Sequence, residues 1–401
     1  MDQRRAFAFI FCTVTLDMLA AGLMIPVLPH LILDFMGNDT AGAARVVGVF
    51  STVWAAMQFV SSPVLGVMSD RYGRRPVILI SCLGLGLDYV FMAVAPSLTL
   101  LFVGRIVSGI TSATIHTGFA YIADVTPEQE RARAFGLIGV AFGLGFVVGP
   151  ALGGLLAGVD IRLPFWASAA AALANAAFGW FVLPESLPPE RRMAFDWKRA
   201  NPVGAFRLLA AHRELFGLAV SNFFGQLAHQ VLPTVAVLYA SYRYGWGELD
   251  VGLMLAFVGV CSAVVQGLLV GPVVARIGER RAVVAGLLFG AAGMALYGLA
   301  PTGLTFLVGV PVMSLWGLAS PAMQALMSRR ISPSEQGQLQ GANSSIASVG
   351  ALIGPAIFTA AFSAFLGPLP GAAFDLAALI LLAALAVAVW ATRTPAGVRL
   401  L

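Results

Sequence analysis

Runs of eighteen or more apolar residues recur from one end of this 401-residue chain to the other. An α-helix needs a run of that length to cross about 30 Å of hydrocarbon. In that solvent every backbone N–H and C=O must be paired internally, which leaves only helices or a closed barrel. Barrel strands alternate apolar and polar residues; here Ala, Leu, Gly and Val follow one another without alternation. Charged residues make up 11% of the chain, against about 25% in soluble domains, too few to cover a surface that faces water. The expected fold is an all-α membrane protein of twelve transmembrane helices. They are placed at 6–28, 45–68, 76–95, 97–121, 134–157, 162–183, 213–240, 250–274, 282–300, 303–328, 337–363 and 370–392.

The second strong signal is an internal repeat. A charged island, Gly66-Val67-Met68-Ser69-Asp70-Arg71-Tyr72-Gly73-Arg74-Arg75-Pro76, returns in outline 205 residues later as Gly271 to Arg281, with Asp70 replaced by Ala275. Gly104 and Gly309, Gly136 and Gly341, and Gly149-Pro150 and Gly354-Pro355 share the same offset. The chain thus reads as two related six-helix bundles, 1–183 and 213–401, joined by a polar linker over 184–212. Parallel six-helix repeats imply a substrate cavity where the halves meet, opened alternately to each side.

Charge placement gives the orientation. Of 24 Lys and Arg residues, 20 fall in segments on one side of the expected helices, all but Arg45, Arg105, Arg162 and Arg243. By the positive-inside rule that side is the cytoplasm, and an even helix count puts both termini there. The net charge of +5 is therefore a topology signal and not a nucleic-acid footprint. The stretch from Ala6 to Leu28 carries Asp17 and lacks a small-residue cleavage site, so it reads as a retained first helix and not a signal peptide. Cys12, Cys82 and Cys261 lie in apolar runs without metal or disulfide spacing. No nucleophile–base set, metal cluster or phosphate-binding loop is legible, which argues against an enzyme or a primary pump.

Three charged side chains lie at membrane depth in the first half. Asp17 sits halfway along the first helix, Asp88 in the middle of the third and Arg105 inside the fourth. A charge at the bilayer centre costs roughly 2.5–3.5 kcal/mol even on insertion scales, so each needs a cavity, a partner or a neutral form. A carboxyl able to be neutral or charged is what proton coupling requires. Asp17 reads either as a hydrogen-bonded structural acid or as a protonation or substrate site. Arg105 reads either as a brace or as a modulator of a proton-binding acid, with Asp17 and Asp88 its candidate partners. Pro26 and Pro29 should bend the far end of the first helix.

The 66–75 turn has gate-like chemistry. Gly66 and Gly73 permit close approach and a tight turn, while Asp70 can pair with Arg71 or Arg74, or face a helix N-terminus. With Arg75 the cluster is expected to lock the cytoplasmic helix ends. In the fifth helix Gly145, Gly149 and Gly153 fall four apart, beside Pro150 and Gly154. That spacing lines one helix face for tight packing, and Gly with Pro also permits bending, as in a gating helix. For substrate contacts the candidates are Gln58 and His116 in the first half. In the second they are Asn222, Gln226, His229, Gln230, Gln266 and Gln324. Amide glue between helices and cavity lining are about equally good readings. Phe223, Phe224, Phe257 and Trp316 are candidates for an apolar wall.

These residues carry a resemblance. The turn from Gly66 to Pro76 resembles the loop signature of the major facilitator superfamily. Gly104-Arg105-Ile106-Val107-Ser108-Gly109 resembles its fourth-helix signature, and Gly145 to Gly154 the fifth-helix signature of antiporters. Asp17 with Pro26 and Pro29 resembles the first-helix signature of twelve-helix drug:H⁺ antiporters. Met68 to Pro76, Leu87-Asp88-Tyr89, Ser108-Gly109-Ile110-Thr111 and Gln338-Leu339-Gln340-Gly341 resemble the tetracycline efflux proteins. Two departures stand out. The acid those exporters carry in the ninth helix aligns with Gly290, and their eighth-helix histidine with the neutral run Cys261-Ser262-Ala263. His116 and His229 stand where those exporters look to have glycine.

The resemblance implies a proton-coupled exporter of a small amphiphilic drug, most closely tetracycline, working as a monomer in a bacterial inner membrane. It implies no resident cofactor; a divalent cation such as Mg²⁺ would travel as part of a chelated substrate. The first alternative is an exporter of another drug or metabolite without tetracycline activity, which the missing ninth-helix acid favours. The second is a non-transporting membrane sensor or scaffold, which would not require Asp17 or Asp88.

Overall fold

The computed structural model describes residues 3–111, 114–126, 131–192, 213–331 and 336–392. Helices and their connecting turns account for all of these; no strand occurs among the described residues. In the first part of the chain the helices are α1 Gln3–Met24, α2 Leu28–Phe35, α3 Thr40–Tyr72, α4 Arg74–Val94, α5 Leu98–Thr111, α6 Thr114–Val125, α7 Arg131–Ala157 and α8 Leu163–Val182. The remainder holds α9 Arg213–His229, α10 Val231–Tyr244, α11 Glu248–Val264, α12 Val270–Ile277, α13 Glu279–Leu299, α14 Gly303–Ser314, α15 Ala319–Ser328, α16 Gln336–Phe365 and α17 Ala372–Ala391. Ten stretches among the described residues are long and apolar enough to cross a membrane. The other two expected spans are present in pieces, the fourth as α5 and α6 and the seventh as α9 and α10.

The breaks have local causes. Pro26 and Pro29 interrupt the first span, and α1 ends at Met24 before α2 resumes at Leu28. Pro233 has no N–H for the His229 carbonyl four residues back, and the chain turns at Gln230 between α9 and α10. Ahead of Pro272 the eighth span widens into a π-helical turn, Val265–Leu269, in which the Val270 N–H bonds to the Val265 carbonyl. Between α14 and α15 the chain tightens into a 3₁₀ turn, Leu315–Leu318.

Two compact units emerge. The first comprises 1–39, 53–201 and 246–256, and the second 40–52, 202–245 and 257–401. In the first unit α1 packs along α7 and α8, and α4 against α5, α6 and α8. In the second, α17 packs on α9 and α13, while α13 also meets α14, the 3₁₀ turn and α15. The linker residues 193–212 lie outside the described residues.

Candidate functional site

Asp17, Asp88 and Arg105 converge in the first unit. All three are buried, with relative exposures of 6%, 2% and 9%, and the charges of all three reach the phenol of the buried Tyr89. The two acids are nonetheless held very differently. Asn175 of α8 donates from Nδ2 to Asp17 Oδ1 at 3.2 Å and to the Thr13 carbonyl at 3.3 Å. Its Oδ1 accepts from the Thr13 hydroxyl at 3.1 Å. Asp17 is thus one member of a buried polar network. Asp88 lies against the Gly104 backbone, where an added Cβ would come 2.9 Å from Oδ1; the Ser108 side chain is close enough to interact with it, but no contact to either oxygen has full hydrogen-bond geometry.

Arg105 stays beside this pair without closing on it. Its guanidinium carbon sits 5.3 Å from the centroid of Trp54, its Nε has no hydrogen-bond partner, and its charge interacts with Asp88. No salt bridge from Arg105 is formed among the described residues. The expected acid partner is near, and an indole face supplies the close contact. A carboxyl held this loosely, beside a guanidinium that makes no ion pair among the described residues, can change its protonation state without dismantling a network. Trp54 and Asn175 escaped the sequence reading. Asn175 did leave a signal, being an amide inside the otherwise apolar α8.

The basic turn is built around two carboxylates that the sequence reading did not single out. Gly73 has φ +107°, a conformation glycine adopts without penalty, and the Glu185 carboxylate fills the space a side chain would need there. Glu185 accepts from the backbone N–H of Arg74 at 2.8 Å and of Arg75 at 3.3 Å. It thereby caps α4 from 110 residues away in sequence, where the orphan N–H groups and the helix dipole favour negative charge. Arg74 bridges Asp70 at 2.6 Å and Asp124 of α6 at 3.1 Å, and donates to the Ser69 hydroxyl at 2.8 Å. Arg75 donates to the Trp180 carbonyl at 2.6 Å, and Arg71 lies 5.2 Å over the Tyr72 ring. Asp70 pairs with Arg74, and the helix end it could have faced belongs to Glu185. An added Cβ at Gly66 would meet nothing.

On α7 the glycines divide by face. Cβ atoms added at Gly149 and Gly153 would lie 2.7 Å from Gly22 Cα and 2.9 Å from Leu23 Cα, and one at Gly145 would lie 2.8 Å from the Met18 carbonyl carbon. These three form the seam on which α1 rides, with Gly22 as the partner on the α1 side. Gly154 and the Pro150 carbonyl instead meet the start of α11, at Leu249 and Gly252. Gly139 and Gly143 open onto free space.

The second unit contains a cavity of about 520 Å³. Asn222, Gln226, His229, Gln266 and Gln324 all line it, as does Trp316, whose ring centroid is 5.8 Å from that of His229. Asn222 also donates to Asn343 of α16 at 3.2 Å. Gln230, Gln58, Phe223, Phe224 and Phe257 are not among the lining residues; Gln230 packs against Gly354. The side chain of His116 lies outside the described residues. Spacing along α9 identified Asn222, Gln226 and His229. Gln266 owes its place to the π turn and Trp316 to the 3₁₀ turn, which helical periodicity does not anticipate.

The sequence profile of the Major Facilitator Superfamily matches residues 10–355 and, in a second match, 218–400. The chain is 38% identical to the class C tetracycline resistance protein of Escherichia coli over 397 residues, 98% of this chain and 100% of that one. It is 37% identical to the class G tetracycline resistance protein of Vibrio anguillarum, over 93% of this chain and 94% of the other. Among solved structures, the nucleoside transporter NupG superposes with a TM-score of 0.79 at 12% identity, covering 98% of this chain and all of that one. At that identity the likeness concerns the fold alone.

Proposed function

Because the chain belongs to the Major Facilitator Superfamily and is a multi-pass secondary transporter rather than an enzyme, we propose that it exports a tetracycline-type amphiphile in exchange for protons. Full-length identity to two tetracycline resistance proteins supports the substrate class. The observation that carries the coupling is Asp88, a buried carboxylate outside the Asn175 network, beside an arginine that makes no ion pair among the described residues. In this reading Asp88 takes the inward-moving proton. Asp17 is fixed by Asn175 and shapes the electrostatics around Asp88 and Arg105. Arg105 is attracted to Asp88 when the acid is charged and released when it is neutral, which gives proton binding a mechanical consequence. The Asp70–Arg74–Asp124 cluster with Gly66, Arg71, Gly73 and Arg75 serves as cytoplasmic gate. The α1–α7 seam at Gly145, Gly149, Pro150, Gly153 and Gly154 is where helices slide during alternating access. The protein acts as a monomer in the bacterial inner membrane with both termini in the cytoplasm, a sidedness that the Lys and Arg distribution supports.

The test is proton release from energised inverted vesicles on adding tetracycline, with lipophilic cations as a comparison panel. Tetracycline is expected to trigger release in the wild type, to fail in Asp88→Asn, and to act weakly in Asp17→Asn. Release that persists in Asp88→Asn removes that acid from the coupling. A wild type silent to tetracycline yet responsive to another compound favours the second reading, an exporter of a different drug, for which the unfilled ninth-helix position Gly290 already speaks.

A further inference from the structure

Among the described residues lining the 520 Å³ cavity of the second unit there is no Asp, Glu, Lys or Arg. Its polar chemistry is amides and hydroxyls, with one imidazole, His229, exposed to the cavity. Its one large flat surface is Trp316. The setting of that indole is unusual. A Cβ added to Gly290 would lie 2.8 Å from Cγ and 3.1 Å from both Cδ1 and Cδ2. Near-equal distances to the two ring neighbours describe an atom above the ring face and not at its edge. One face of the indole therefore rests on the Gly290 backbone of α13, while the ring lines the cavity with the His229 imidazole beside it, centroids 5.8 Å apart. Gly225 leaves room at the far edge, where its Cβ would be 4.0 Å from Cζ2. The 3₁₀ turn carrying Trp316 and the π turn carrying Gln266 meet at Gly317, where a Cβ would be 3.7 Å from the Gln266 side chain. Departures from α-helical geometry of this kind recur at functional sites, and here each delivers a cavity residue.

We infer that the cavity side of Trp316, next to His229, is a stacking platform for an uncharged planar ring of the transported compound, with Gln266 and Gln324 bonding to substituents at the ring's edge. The inference deepens the exporter reading and rests on it. The volume suits a drug-sized ligand, and a rigid indole offers flat contact at low entropic cost. A cation is a poor occupant. It would shed water against a lining that holds no carboxylate among the described residues to replace it. A metal-chelated, positively charged ligand meets the same lack of a carboxylate in this lining. Gly290 is the positioning residue: any side chain there must displace Trp316.

The test uses purified full-length protein and indole fluorescence, with Trp316→Phe isolating the contribution of residue 316 among seven tryptophans. The probes are tetracycline in excess EDTA, the uncharged planar compound acridone, and tetraphenylphosphonium. Both planar probes are expected to quench Trp316 and to bind about tenfold more weakly in Trp316→Ala and Gly290→Ala. Trp316→Phe retains affinity within about twofold, and tetraphenylphosphonium does not compete. Each variant is first checked for a wild-type elution profile and helical dichroism. Equal affinity of the planar probes for folded Trp316→Ala and wild type overturns the inference, as does tetraphenylphosphonium binding with the same dependence on Trp316, or no quenching by any probe. Acridone binding that depends on Trp316, with tetracycline silent, keeps the platform and discards the tetracycline reading. Tetracycline transport identical in all variants keeps that reading and discards the platform.

Discussion

Asp17 and Asp88 show how far two identical side chains at similar depth can differ. The sequence placed both in the membrane on charge cost alone, and that argument cannot separate them. What separates them is Asn175, 158 residues from Asp17, which ties Asp17 into a network and leaves Asp88 outside it. Asn175→Ala would leave Asp17 Oδ1 and the Thr13 hydroxyl short of buried partners, at a cost of about 1–3 kcal/mol. A lowered unfolding temperature in detergent is expected, with proton coupling retained. Asp88→Asn is expected to do the reverse, leaving stability little changed while abolishing substrate-driven proton release. A variant pair that failed to cross over in this way would contradict the division of labour between the two acids.

Elements meet here through glycine, and the legibility of each glycine depended on what lies opposite. The four-residue spacing of Gly145, Gly149 and Gly153 announced a packed face, and α1 occupies it. Gly139 and Gly143, which share the same spacing, face open space. A single helix's periodicity identifies its glycine faces but not which of them a partner covers. Gly149→Val should therefore force α1 and α7 apart and cost about 1–3 kcal/mol, whereas Gly143→Val should be close to neutral. Thermal unfolding of the two variants side by side checks the contrast. The cap on α4 was illegible for a related reason. Glu185 sits 111 residues beyond Arg74 in the polar linker, and only the fold brings its carboxylate to the helix end. Glu185→Ala should cost about 0.5–2 kcal/mol, read as a lower unfolding temperature.

At the scale of the whole molecule, apolar runs, the repeat and the arginine bias made the membrane class and helix order readable before any coordinates. The turns that interrupt the seventh, eighth and tenth spans were not, because proline, π and 3₁₀ adjustments leave hydropathy unchanged. The expected sidedness has a direct check in a cysteine-free background. Glu190→Cys, exposed beside the linker, should react with an impermeant maleimide in inverted vesicles and be protected in intact cells. Val159→Cys, 80% exposed at the other end of α7, should show the opposite pattern.

The contact between Gly290 and Trp316 also has a historical consequence. With the indole resting on residue 290, an acid cannot be acquired there in one step, because Gly290→Asp drives its own Cβ into the ring. Removing Trp316 first opens the position; reversing the order passes through a disrupted intermediate. The two substitutions should therefore show sign epistasis, harmful singly in one order and compatible together, with a double-mutant cycle far from additive. A lineage carrying this pair is confined to paths on which the tryptophan changes before the glycine, so two positions on different helices evolve as one locus.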